Sequence, residues 1–532
     1  MALLFIIFLS QHWIHDKCRR DIYGREECAS TSMPGIRRFR RLGAGQLTNP
    51  QSFSEQPASS LCYTIVTTSP PVCHRWHLIF ARTNPPTQMK NNKLKCTTVG
   101  ALAWVAFCAN VAAQSSDALL DKLVQKGILT QQEADDLRKE TDKDSSKATA
   151  KALSLPSWVT SFKLGGDFRG RYEEHHANNP AISDRDRFRY RLRYGVTAAL
   201  LDDFEVGFRL ASGNPNSTFG GNPVSANTDF SDGASRKFIW VDTAYAKWTP
   251  IHNDELKVNA TIGKTDNPFN YSPMMFDPDY QPEGAAVQGS YAFNEQHALK
   301  LNGAAFVLDE FSAGPNSSHD PFMLGAQLRW ESKWTPKLES MLGIGAFDIA
   351  GKSNLVPGAA PNVNDGNTRD AAGNLLNNYN PVVGEAYLVY KLDSFPLYKG
   401  QFPIKLSGEF MKNKGAATGN EAWNGGLTLG KAGKKGLWDI SYQYRRIGPD
   451  AWYEEFPDDD FTGFYSAALP GSGFGAGIRG GTNIKGHVAK LNYSLFDSTT
   501  FTVTYYLGEL INNPSGANST VHHFMVDLMW KF

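Results

Sequence analysis

Arg185-Asp186-Arg187-Phe188-Arg189-Tyr190-Arg191-Leu192-Arg193-Tyr194 carries the most regular alternation in the chain. Arg187, Arg189, Arg191 and Arg193 alternate strictly with Phe188, Tyr190, Leu192 and Tyr194. Successive side chains of a β-strand point to opposite faces, so this period places four guanidinium groups on one face and an apolar row on the other. A soluble sheet would bury the apolar row in its core. A transmembrane barrel would turn that row to lipid and leave the arginines in a wet lumen. The stretch alone fits both, and the flanking chain makes the choice.

Downstream and upstream of it, from residue 161 to Phe532, strand follows strand. The pattern predicts sixteen: 161–174, 185–200, 203–213, 238–249, 255–265, 284–293, 297–309, 322–334, 337–348, 381–392, 402–413, 421–432, 436–447, 482–495, 499–509 and 520–532. Their connections sort by length. Even ones are mostly short, as at Leu201-Asp202, Thr335-Pro336 and Phe496 to Ser498, whereas 214–237, 266–283, 349–380 and 448–481 are long. Short turns on one rim and long loops on the other mark an outer-membrane barrel, and a soluble sandwich has no reason to sort its loops this way. Alternation agrees: Asp167, Arg169, Arg171 and Glu173 interleave with Phe168, Gly170 and Tyr172, and Phe524, Val526, Leu528, Trp530 and Phe532 share a face. Tyr172, Trp248, Trp334 and Trp530 stand near strand ends, where interfacial girdles form. The expected fold is all-β, a transmembrane antiparallel β-barrel of about 16 strands.

Before the barrel the period becomes helical. Leu119, Leu120, Leu123 and Val124 recur at helical spacing, and Thr130 with Glu133 signs a capping box for a second short helix carrying Ala134 and Leu137. Thr141 to Ala152 reads as a polar linker, so 114–160 is expected to be a periplasmic helical segment and linker. The segment is either an oligomerisation element or a stretch that packs on its own barrel, since such short helices are unstable alone.

Further upstream, Met89 to Lys95 is a basic run and Cys96 to Val111 an apolar one, followed by Val111-Ala112-Ala113 at the cleavage position. Residues 89–113 therefore read as a signal peptide, because a spanning helix would need roughly 20 apolar residues. Residues 1–88 show no strand alternation and read as an upstream extension foreign to the natural chain, with the apolar run Ala2 to Leu9 as a competing targeting element. All six cysteines precede the cleavage point, which excludes a disulfide framework and a cysteine-ligated metal from the mature chain. With 54 Lys and Arg against 53 Asp and Glu there is no basic excess for nucleic acid. A mean hydropathy of −0.38 leaves no place for a helical membrane protein.

From Met89 to Phe532 the chain resembles the putative porin family of Gram-negative bacteria, a group similar to the phosphate-selective porins. The resemblance rests on the signal peptide, the helical segment Ala118 to Leu137, the opening strand Phe162-Lys163-Leu164-Gly165-Gly166-Asp167-Phe168-Arg169 and the terminal Phe532. It implies a sixteen-stranded outer-membrane channel, commonly a trimer, with outer-membrane lipid around it and small hydrophilic solutes or ions inside. It also implies that Phe532 is the assembly signal read by the barrel-insertion machinery.

Candidate pore-lining residues are Arg169, Arg171, Arg187, Arg189, Arg191, Arg193 and Arg209, on the polar face of the first three strands. Fixed positive charge in a narrow wet passage attracts anions. Alternatively these arginines pair with Asp167, Glu173 and Glu205 and stiffen the wall. The connection after the fifth strand carries Asp266, Asp277, Asp279 and Glu283 among Pro268, Pro273, Pro278 and Pro282. Resemblance to general porins, whose third loop enters the lumen, makes these acids a candidate constriction; the plainer reading is a surface loop.

No catalytic constellation stands out, and no cofactor or metal is expected. His522 and His523 fall on opposite faces of a strand, His175-His176 is expected in an outer loop, and Asp458-Asp459-Asp460 reads as a solvated loop, with weak divalent-cation binding as the alternative. The function expected is passive diffusion, with possible anion preference and no enzymatic activity. The rivals are a lipase-like barrel enzyme, for which lipid-facing His522 lacks a paired serine, and a structural anchor.

Overall fold

In the computed structural model the described residues run from Leu119 to Phe532, except 121, 125, 127, 130, 217–219, 312–318, 357–362 and 473–474. The signal peptide, its cleavage site, the extension 1–88, Gly127 and Thr130 lie outside them. Leu119, Leu120 and residues 122–124 are helical, and α1 spans Gln131–Ala152. The expected linker 141–152 is therefore helix. Its Ala, Lys and Asp run contains no Gly or Pro before Pro156, so nothing in it stops propagation. No described helix is long and apolar enough to cross a membrane.

Sixteen long strands follow: β1 (Val159–Ala177), β2 (Arg185–Leu200), β3 (Phe204–Ser212), β4 (Ile239–His252), β5 (Leu256–Lys264), β6 (Glu283–Ala292), β7 (His297–Val307) and β8 (Phe322–Thr335), then β9 (Leu338–Ala350), β10 (Pro381–Leu392), β11 (Phe402–Asn413), β12 (Glu421–Gly430), β13 (Trp438–Ile447), β14 (Ile484–Phe496), β15 (Thr499–Leu510) and β16 (Val521–Lys531). Each pairs antiparallel with the next, and β16 pairs with β1 from Asp167↔Lys531 to Ala177↔Val521, closing the sheet on itself. Closure leaves no long edge to hydrogen-bond in lipid. Phe532 extends the seam: its N–H donates to Gly166 O at 3.1 Å and its carbonyl accepts the Gly166 N–H at 2.8 Å. One potential edge remains, because β3 is short and pairs with β2 only over Arg193 to Ala199. The two-residue strand Thr228–Asp229, from the connection after β3, covers Arg189 and Tyr190 there.

The faces sort as the alternation predicts. Phe188, Leu192 and Tyr194 are exposed outward, whereas Arg189 and Arg191 are buried within. At the short-turn end Phe204 stacks on Trp248 and Trp530 packs on Phe168. His175 and His176 belong to the end of β1 and not to the loop expected there.

The lumen holds a second, apolar core. Phe269, Met274, Met275 and Phe276 come from the connection 265–282, Leu375 and Tyr379 from 351–380, and Trp452, Tyr453 and Phe456 from 448–483. They pack on Phe306, Met323, Phe347 and Met411, at the long-loop ends of β7, β8, β9 and β11. Trp452, Tyr379, Met274 and Met275 are fully buried. The long loops thus fold back as a packed plug in that half of the barrel.

Candidate functional site

β1 and β2 run side by side with their polar faces inward, and their register sets Asp167 beside Arg193, Arg169 beside Arg191, Arg171 beside Arg189 and Glu173 beside Arg187. Two of those four pairs are like charges directly opposite, which is destabilising unless carboxylates intervene. They do. Arg191 and Arg193 share Asp167, at 2.9 and 2.8 Å, and both reach Asp279 of the third long loop, at 3.0 and 3.5 Å. Arg187 pairs with Glu173, and Arg189 lies 3.4 Å from the same carboxylate and 2.8 Å from Asp229. Arg171 forks onto Asp527 of β16 through Nε at 2.7 Å and Nη2 at 3.0 Å. Arg209 on β3 joins Asp242 and, at 2.8 Å, Asp266. Glu205 pairs elsewhere, with Lys247 at 2.5 Å and the Tyr245 hydroxyl at 3.0 Å.

Arg169 differs from the rest of the ladder. Its Nη2 donates to Asn227 Oδ1 at 2.7 Å, and it makes no ion pair among the described residues. Lys490, on the inward face of β14, also has none, and both line one cavity of about 320 Å³. Across that cavity stand Asp277 and Asp279 of the third long loop and Asp458, Asp459 and Asp460 of the connection 448–483.

Several hydrogen bonds carry the third loop across the lumen. Ser272 N–H donates to Glu409 Oε1 on β11 at 2.6 Å, and Asn424 Nδ2 on β12 donates to Ser272 Oγ at 2.8 Å. Asn270 N–H meets Gln327 Oε1 at 3.1 Å. Gly325 and Gly345 admit the loop, for a Cβ on Gly345 would stand 2.0 Å from Tyr271 Oη. The two loops then lock together: Asp277 N–H donates to Phe456 O at 2.6 Å, Asp458 N–H to Pro273 O at 3.0 Å, and Trp452 Nε1 to Met275 O at 3.0 Å. Asp266, Asp277 and Asp279 all belong to the inserted loop, and Asp266 and Asp279 meet the arginines. Glu283 does not. It opens β6, pairs with Lys264 at 3.0 Å and is largely exposed.

The solvated reading of Asp458-Asp459-Asp460 is overturned. Asp458 is buried and pairs with Arg445 at 2.7 Å, and Asp460 meets Arg171 at 3.1 Å. Burial, then Asp459 and Asp458, push the Asp277 carboxyl up; burial, then Asp460 and Asp458, do the same to Asp459. Burial also acts against the Asp460 anion, but the guanidinium groups of Arg171 and Arg169 hold that carboxyl low. The sequence contained the signal for Arg445, which alternates along β13 with Trp438, Ile440, Tyr442 and Tyr444. Nothing local in it tied Arg445 to a loop acid 13 residues on.

A closed antiparallel barrel with an apolar outer wall, a charged lumen and an inserted loop defines a transmembrane channel of the outer-membrane kind. The family model described as "Putative porin" matches residues 177–367 and 401–532, and the chain belongs to that family. It is thus a porin, a channel of the Gram-negative outer membrane. Among solved structures it is similar to OprB of Pseudomonas putida at high pH, with 12% identity over 70% of this chain and 94% of that one and a TM-score of 0.43. Salmonella typhi OmpF in complex with daunomycin shares 10% identity over 70% of this chain and 98% of that one, with a TM-score of 0.39. An E1M, A104W mutant of Rhodopseudomonas blastica porin shares 10% over 70% and 100%, with a TM-score of 0.34. Among curated proteins none matches this chain.

Proposed function

We propose that this porin is a passive diffusion channel for small hydrophilic solutes and that its constriction prefers anions. The observation that carries the preference is the charge left over after pairing. Most of the arginine ladder is neutralised by carboxylates, but Arg169 and Lys490 face the cavity without an ion pair. Among the facing acids, burial and neighbouring carboxylates hold Asp277 and Asp459 toward the neutral form, whereas Asp460 is held low by arginines. The residual field is therefore positive. Asp277, Asp279 and Asp266 act as the constriction loop, and Arg169, Arg171, Arg187, Arg189, Arg191, Arg193 and Arg209 as the opposing wall. Glu283 is left out of this role because it pairs at the strand edge.

Conductance of the purified protein in a planar bilayer tests both halves. An ohmic current supports diffusion, and its absence would leave the anchor reading in place. A reversal potential under a KCl gradient then reads the preference, which should fade as salt rises, because the Debye length shrinks from about 10 Å at 0.1 M to about 3 Å at 1 M. A cation-selective reversal potential at low salt would overturn the anion reading. The homotrimer, and recognition of Phe532 by the insertion machinery, belong to the same proposal and rest on family resemblance.

A further inference from the structure

The seam that closes the barrel pairs His175 of β1 with His523 of β16. Their rings stack, with centroids 3.7 Å apart and planes 20° apart. His523 is 1% exposed, and its Nδ1 lies 2.9 Å from the Asp460 carbonyl. A carbonyl only accepts, so Nδ1 carries the proton and Nε2 the lone pair. That Nε2 is buried and has no hydrogen-bond partner, and the same holds for Nδ1 of His175. A buried polar atom without a partner costs stability, and here two such atoms sit together. Glu173 completes the group: one ligand atom from each of Glu173, His175 and His523 lies within 4.8 Å of the others.

We propose that Glu173, His175 and His523 form a binding site for a divalent transition metal of the zinc and copper class. Two imidazoles with one carboxylate suit such ions and not calcium or magnesium, which take oxygen ligands. The bond from His523 Nδ1 to the Asp460 carbonyl is the kind of outer contact that fixes the tautomer of a ligating histidine. Both rings start too close to parallel to aim at one ion, so the His175 ring turns about χ2 on binding. Its Nδ1 makes no hydrogen bond that resists the turn. Nor does net charge oppose a cation: Arg171, Arg185, Arg187 and Arg189 are balanced by Glu173, Asp229, Asp460 and Asp527. The site lies at the long-loop end of the barrel, where an ion from outside arrives first. It would cross-link the first and last strands and, through Asp460, tie the loop 448–483 to the seam.

The test uses Cu²⁺ alone as the probe, titrated into the purified full-length protein in detergent and followed by electron paramagnetic resonance. Wild type should bind one ion per chain with splitting from two imidazole nitrogens. His523→Gln and His175→Gln should each weaken binding by at least about tenfold. The control is the outward pair His176 and His522, whose rings lie 5.7 Å apart on the other face of the same seam. His176→Gln with His522→Gln should leave binding unchanged. No binding to wild type, or binding lost only with the outward pair, would overturn the proposal. If His523→Gln does not fold, His175→Gln and the wild-type splitting decide it.

Discussion

Arg191 shows how little a residue's charge says until its partners are known. On sequence it is one rung of a positive ladder, yet in the barrel it clasps Asp167 of the wall and Asp279 of the inserted loop. Replacing it with glutamate therefore does two things at once: it removes positive charge and repels the loop. The double variant Arg189→Glu with Arg191→Glu should shift the reversal potential toward cations and also raise single-channel conductance as Asp279 is released. Unchanged selectivity at low salt would show that the paired arginines contribute rigidity alone. The companion change lies one residue away. Tyr190 stacks on Phe168 on the lipid face, and Tyr190→Arg there should cost roughly 2–4 kcal/mol near the midplane, seen as poor refolding in urea titrations.

The loop acids give a pH dependence whose sign follows from their environment. Asp277 and Asp459 are held toward their protonated forms, so the folded state binds protons that the unfolded loop would release. Their contribution to loop packing is thus present at low pH and lost as pH rises from the ordinary carboxylate value through the raised ones. Lowering the pH should strengthen anion preference and quieten loop-dependent current noise. Asp277→Asn should flatten that response, and a response unaltered in this variant would place the titrating group elsewhere.

At the scale of elements, the connections 265–282 and 448–483 behave as parts of one core and not as two surface loops. Trp452 is the hinge of that packing, fully buried, edge-on to Phe276 and hydrogen-bonded to Met275 O. Trp452→Ala should cost about 3–5 kcal/mol of loop packing, the usual penalty for emptying a buried aromatic site. Trp452 packs on Phe347 of the wall, but the strand-to-strand hydrogen bonds that close the barrel do not pass through it. The expected outcome is a chain that still resists heat in detergent gels but shows larger, noisier conductance and new protease cleavage within 448–483. Wild-type conductance in this variant would mean that the plug does not set the passage.

For the whole molecule, closure is the property on which everything else depends, and Phe532 contributes to it in two ways. Its backbone adds two hydrogen bonds to the seam, and its ring stacks on Tyr194. Phe532→Ala keeps the backbone bonds, so folding in detergent should change little while assembly in cells falls, as recognition of the ring requires. Equal loss in both settings would reject the recognition role. Deleting residues 119–152 should likewise leave a conducting barrel. A weakened oligomer on native gels would give that segment its oligomerisation role, and an unaltered one would leave it as a helix that abuts β1.

The wall was legible in local sequence pattern. A period of two, sorted loop lengths and aromatic strand ends are local properties, so all sixteen strands and both faces could be read from them. The sequence also placed Asp266, Asp277 and Asp279 on the loop that enters the lumen, though only through resemblance. What it left undecided is everything that depends on chain segments far apart meeting inside the ring. Asp458-Asp459-Asp460 looked solvated because acidic loops usually are, yet it is enclosed because Trp452 and Phe456 beside it are drawn into an apolar core with Phe276 and Phe347. His175 looked like a loop residue until β16 extended β1 to Ala177 and set His523 against it. Strand alternation is dictated by neighbours in the chain, whereas ion pairing, loop insertion and the histidine seam are dictated by neighbours across the barrel, and only closure brings those together.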